Sequence, residues 1–160
     1  MTNKERFKDL FVNLVQRPGA EDLLVWLGTT DFFEAPASTR FHCAFPGGLV
    51  EHSLNVYDQL LFDHSVLKYD GQTLAVCALL HDVCKANYYH GEKSVYLIQK
   101  YVDLTDEEAL AIRWHMGAYD EAYRGGSRAL GEAQERCALV LALHQADMRA
   151  TQQEKLREGL

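Results

Sequence analysis

Apolar residues recur along this chain at three- and four-residue spacing, and nowhere alternate singly over a useful length, so the pattern is that of helices. Phe7, Leu10, Phe11, Leu14 and Val15 share one face of a helix predicted over residues 2 to 16, which Thr2-x-x-Glu5 opens as a capping box and "RPGA" ends. A second helix fits "GAEDLLVWLGTT", and residues 31 to 46 read as a turn-rich connector with short helical pieces. The glycine pair in "FPGGLVEHS" opens a long helix to about residue 66, and a helix from about 72 to 87 puts Leu74, Cys77, Ala78 and His81 on one side. "SVYLIQKYV" predicts another helix, and Thr105-x-x-Glu108 is a second capping box, starting the helix that carries Ile112 and His115. "GAYDEAYRGGSRALG" reads as a loop with glycines and arginines. Residues 132 to about 152 form the last long helix, with Cys137, Val140, Leu141, His144 and Asp147 on one face. The expected fold is all-α, seven or eight helices around one core, with no internal repeat.

Composition narrows this picture only slightly. A chain of 160 residues with 48% hydrophobic and 24% charged content suits one globular domain over 1–160. Its motif-bearing core spans about 42–150, and the helices in 1–30 pack on it. No apolar run approaches the roughly 18 residues of a membrane helix, and "MTNKERFKDL" lacks a following apolar signal core, so no membrane partner and a cytoplasmic location are the default expectations. Cys43, Cys77, Cys84 and Cys137 form no CxxC pair and read as reduced core thiols. With 16 basic against 23 acidic residues the net charge is -7, which opposes binding along an extended nucleic acid but allows a small anion held by a metal and local cations.

The stretch "ALLHDVCK" interrupts the apolar pattern with His81 and Asp82 where another leucine would continue it. Helix neighbours point about 100° apart, so both side chains can reach one point between them. A carboxylate at the end of an apolar stripe is expensive unless it meets a cation or a metal. Lys85 is the local cation, and a plain helical Asp82–Lys85 ion pair is the simplest alternative. That pair leaves unexplained why Asp147 lies on the apolar face of another helix, and why His52 and His115 arrive on two more. Two histidines and two carboxylates suit Mn, Fe, Co, Ni, Zn or Mg, and the absence of thiolates argues against a structural zinc site.

The ordered set H…HD…D, carried by "GGLVEHS", "LLHDVCK" and "LALHQADM", resembles the HD-domain metal-dependent phosphohydrolase superfamily from about His42 to Ala150. The resemblance implies an HD-type helical bundle in which His52, His81, Asp82 and Asp147 bind a first metal. In two-metal members Asp82 would bridge and two further histidines would bind a second ion, His115 and His90 being the candidates. The glycine usual before the motif lysine is Cys84 here, and the "GYP" motif of cyclic-di-GMP hydrolases is absent after His115.

A bound divalent ion acidifies its water and neutralises phosphoryl charge, which makes hydrolysis of a nucleotide or similar small phosphomonoester or diester the leading expectation, with Asp82 and Lys85 catalytic. Lys85 would stabilise charge on a non-bridging oxygen. His144, three residues before Asp147, would donate to a ligand or to the phosphate. Arg113 and Arg124, with Arg128, are candidates for the phosphate, and Tyr88, Tyr89, Tyr119 and Tyr123 for a base. His42 reads as a site-edge residue and His64 as structural. The competing expectations are a di-iron oxygenase that needs both His90 and His115, a non-catalytic nucleotide-binding module, and an RNA exonuclease, which the acidic charge disfavours. A homo-oligomer stays open.

Overall fold

Two of the helices begin where the capping chemistry requires. The computed structural model describes residues 1–87 and 92–160, with no strand among the described residues. In α1 (Asn3–Leu14), Thr2 Oγ1 accepts from the Glu5 amide while the Glu5 carboxylate accepts from the Thr2 amide. α2 (Ala20–Thr29), α3 (Gly48–Leu61), α4 (Gly71–Leu80) and α5 (Glu92–Ile98) follow. The predicted Thr105–Glu108 box opens α6 (Asp106–Arg113). A single turn, α7 (Glu121–Arg124), leads to α8 (Ala129–Arg136) and α9 (Ala138–Glu158). Short 3-10 turns span His64–Val66, Val83–Asn87 and Gly117–Tyr119. The all-α bundle read from the sequence is the fold observed.

Several boundaries differ from the expected ones, each for a local reason. The helix expected to run to residue 66 stops at Leu61, and Asp63 then accepts from the Ser65 amide at 2.9 Å to start a 3-10 turn. The helix expected to reach residue 87 stops at Leu80, where the chain tightens into 3-10 geometry. The last long helix divides at Cys137, whose extended backbone (φ -136°, ψ 105°) carries a buried thiol 3.8 Å from the Tyr69 hydroxyl. Beyond that break α9 runs on to Glu158, and Gly159, at φ 73°, ends it. Leu141, expected on the inner face, is 42% exposed. Residues 31–46 contain turns but no helical piece, whereas the arginine-bearing loop is partly helical.

α3 packs against α4 and α9, α6 packs on α9, and α1 closes over α3 and α4. One apolar cluster runs from Phe7 to Ala150. α4 is its axis: every residue from Leu74 to Leu80 is buried, so the helix is apolar all round rather than on the one side expected. A fully buried leucine contributes about 2 kcal/mol, so Leu79 and Leu80 hold the chain firmly up to His81. All four cysteines are buried.

Arg17, in the link from α1 to α2, clamps Glu108 of the second capping box. Its guanidinium donates through Nη1 to Oε2 at 2.6 Å and through Nη2 to Oε1, and it also reaches the Asp103 carbonyl at 3.0 Å. Burial favours the neutral acid, but Arg17 and the Thr105 amide outweigh it and hold the Glu108 pKa below its ordinary 4.5. A depressed carboxylate stabilises the fold above its unfolded-state pKa, and that contribution is lost as pH falls through the folded value. Glu108→Gln leaves the mostly buried Arg17 without its counter-charge and should therefore cost about 3 kcal/mol in urea unfolding at neutral pH. The variant should also lose less stability than the parent when acidified from pH 5 downwards.

Candidate metal centre

The centre is assembled from two helix ends and two helix middles. His81 is the residue on which α4 ends, and its Nδ1 donates to the Ala78 carbonyl at 2.8 Å, a group the ending helix would otherwise leave short of a donor. His115 repeats the device just after α6, with Nδ1 donating to the Ile112 carbonyl at 2.7 Å. A proton committed at Nδ1 leaves the Nε2 lone pair of each ring facing inward. His52 lies within α3 and turns Nδ1 to both oxygens of Glu154, at 3.1 and 3.0 Å. Asp147 arrives from α9. His81 and Asp82 do aim at one point, but from a helix terminus and not from mid-helix as their spacing suggested.

The reactive atoms crowd together. His52 Nε2 lies 3.1 Å from Asp147 Oδ1 and 3.9 Å from Asp82 Oδ2. Asp82 Oδ2 is 3.4 Å from His81 Nε2, and Asp82 Oδ1 is 3.3 Å from His115 Nε2. Two triads, His52–His81–Asp147 and His81–Asp82–His115, each offer ligand atoms within 4.8 Å of one another. Among the described residues, His52 Nε2, His81 Nε2, His115 Nε2 and Asp82 Oδ1 are buried without a hydrogen-bond partner. Orphaned buried polar atoms are rare and costly, and four of them facing one space fit a divalent cation.

Electrostatics reinforce the fit. Burial opposes ionisation of Asp82, yet Lys85, whose Nζ is 2.5 Å from Oδ2, and His81 hold its pKa well below the carboxylate range. Lys85 is itself shifted up, because Asp82 overcomes the burial that would neutralise it. The ion pair weighed against the metal is thus present, but in a mostly buried setting. Asp147 is held down to about 2, burial being outweighed by His52 and His81. Burial would lower the His52 pKa, but the carboxylates of Asp147 and Glu154 lift it to about 9.

The other sequence candidates fall around this centre. His144 is half-buried and its Nδ1 donates to the His115 carbonyl at 2.7 Å, so it steadies the strand of chain leaving His115. Gly117 lies flat on that ring: at φ +56°, a Cβ there would stand 2.6 Å from His144 Cε1. Arg113 pairs with Asp120 at 2.7 Å and stacks on Trp114, while Arg124, Arg128, Tyr119 and Tyr123 are exposed. His42 packs against His52 with ring centroids 4.8 Å apart. His64 is exposed on its 3-10 turn. His90, Tyr88 and Tyr89 lie outside the described residues.

Sequence patterning did not reveal Glu154. It is 1% exposed and lies two turns beyond Asp147 on the same helix, a position that ending the helix near residue 152 conceals. The seven-residue spacing from Asp147 and the stop signal at Gly159 were the available clues.

Because the His52 pKa of about 9 belongs to the protein without metal, a cation must displace its proton below that pH. Chelator competition at stepped pH should show apparent affinity falling about tenfold per pH unit from 9 to 7 for each proton displaced. A flat profile would remove His52 from the ligand set.

Among the described residues no helix is long and apolar enough to cross a membrane. No curated protein and no solved structure matches the chain. A family model described as HD domain matches residues 49–151, a span that holds His52, His81, Asp82, His115 and Asp147 and stops short of Glu154. A buried histidine–aspartate cluster of this order, in an all-α bundle matched over more than half its length, places the chain in the HD-domain family of metal-dependent phosphohydrolases.

Proposed function

We propose that the protein is a metal-dependent phosphohydrolase acting on a nucleotide or similar small phosphomonoester or diester. The observation that carries this reading is the set of three imidazole Nε2 atoms and one Asp82 oxygen, all buried, in charge contact with one another and with Asp147 yet making no hydrogen bond among the described residues, beside a charged lysine. His52, His81, Asp82 and Asp147 would hold a first ion, and His115 with Asp82 would be the ligands left for a second. A divalent ion bound there would acidify water and neutralise phosphoryl charge.

The chain's own contribution is placement. Three imidazoles are held with Nε2 inward by hydrogen bonds at Nδ1, and Asp82 is kept ionised at the centre by its neighbours. Lys85, 19% exposed, stands at the rim of the centre as a cationic donor for a non-bridging phosphate oxygen. The two triads share His81, whose Nδ1 is committed to the Ala78 carbonyl, so its single Nε2 serves one ion. A small substrate suits the net charge of -7 better than an extended nucleic acid does.

The test is metal analysis of protein purified without chelator, followed by a panel of phosphomonoesters and diesters in Mn, Co, Ni and Mg. Asp82→Ala should lose both metal and turnover. Lys85→Ala should keep its metal while turnover falls by about 10²- to 10³-fold, the usual cost of one charge-stabilising donor. Metal-loaded protein inactive across the panel would favour the binding module, and an iron pair with a mixed-valent EPR signal would favour the oxygenase.

A further inference from the structure

The three inward-facing histidines are not held alike. His81 and His115 each give their Nδ1 proton to a neutral backbone carbonyl three residues back. His52 alone gives it to a carboxylate, and that carboxylate is buried, 1% exposed, and shared. Glu154 Oε2 accepts from His42 at 2.8 Å and from His52 at 3.0 Å, and Oε1 accepts from Asn55 at 2.7 Å. The three donors reach it from the connector and from α3, while Glu154 itself comes from the far end of α9.

His42, His52 and Glu154 also place ligand atoms within 4.8 Å of one another, as a metal site would. The hydrogen bonds argue otherwise. Both Nδ1 atoms are already committed to Glu154, and the orphaned atom of His52 is Nε2, on the opposite side of the ring. A single Nδ1 cannot both donate its proton to Glu154 and bind a cation there. The cluster therefore faces the metal centre through the His52 ring instead of forming a centre of its own.

The connector is built to deliver His42 to this place. Ser38 Oγ accepts from the amides of Arg40, Phe41 and His42, and Cys43 takes φ +44°, so its amide meets Glu158 Oε1 at 2.8 Å. A Cβ on Gly48 would stand 2.0 Å from the Cys43 carbonyl oxygen, so glycine is required where the connector presses on the start of α3.

We infer that Glu154, braced by His42, is a positioning residue for metal binding: through His52 Nδ1 it fixes the tautomer and raises the donor strength of Nε2. A carboxylate behind a ligating imidazole makes it more basic and better oriented than a carbonyl does, and its loss typically weakens metal affinity 10- to 100-fold. The inference rests on the metal reading of the cluster but not on phosphohydrolysis, since a binding module would need the same ligand.

Zn(II) alone is the probe. In the Zn-loaded wild-type protein, long-range 15N–1H NMR should find the His52 proton at Nδ1 and none at Nε2. A proton at Nε2, or no bound Zn(II), overturns the inference without any variant having to fold. By chelator competition, Glu154→Gln should bind Zn(II) about 10- to 100-fold more weakly than wild type, and His42→Gln by a smaller factor in the same direction. A purely structural Glu154 would instead lower the melting temperature of the metal-free variant and leave Zn(II) affinity within about threefold once folded protein is measured, which would also overturn it. Zn(II) binding that behaves as inferred in a protein without phosphoesterase activity would refute the proposed function and leave this inference standing.

Discussion

A single carboxylate organises this molecule. Asp82 is 2% exposed at the end of the most buried helix, and ionised carboxylates do not survive there unaided. Its neighbours are the answer to that constraint: Lys85 at 2.5 Å, His81 and His115 within 3.4 Å, and His52 at 3.9 Å. Taken as structure alone the arrangement is poor, because it gathers three imidazoles and, among the described residues, leaves four buried polar atoms without a hydrogen bond. Taken as a cation site it is consistent, with the protein holding donors in place and the ion supplying the charge balance.

How the donors are held explains why the bundle is shaped as it is. α4 has no polar face, so it sits in the middle and its end becomes the deepest place from which a side chain can reach a ligand. α3 packs against it and α9 packs on α3, and the two contribute His52 and Asp147 from their middles, where side-chain direction is set by helix geometry and packing. The 3-10 turn after Asp82 brings the Lys85 amide to the Asp82 carbonyl at 2.9 Å and carries the lysine back over the carboxylate.

Helical periodicity and the ordered H…HD…D set made the fold and the buried histidine–aspartate cluster legible, because both are local patterns: apolar spacing for α1, capping boxes for α1 and α6, and an out-of-place His81–Asp82 pair. What stayed hidden depends on tertiary contact. Nothing in "LLHDVCK" says that the helix stops at Leu80, since the Ala78 carbonyl is satisfied by the His81 ring instead of by the next turn. The break at Cys137 coincides with a thiol buried beside Tyr69, far away in sequence. Glu154 looks like one more charged residue in "QQEKLRE" until α9 is followed to its end and its partners on α3 and the connector are in view.

The two manners of holding histidines imply an order of assembly. His81 and His115 are oriented by carbonyls three residues away, so their rings can be set as soon as α4 and α6 terminate. His52 waits for a partner 102 residues along the chain, and Asp147 comes with that same last helix. Closing a contact between distant segments costs more chain entropy than closing a local one. An incomplete chain would therefore present an imidazole pair and a carboxylate but no finished centre, and strong retention of an ion would report that α9 has docked.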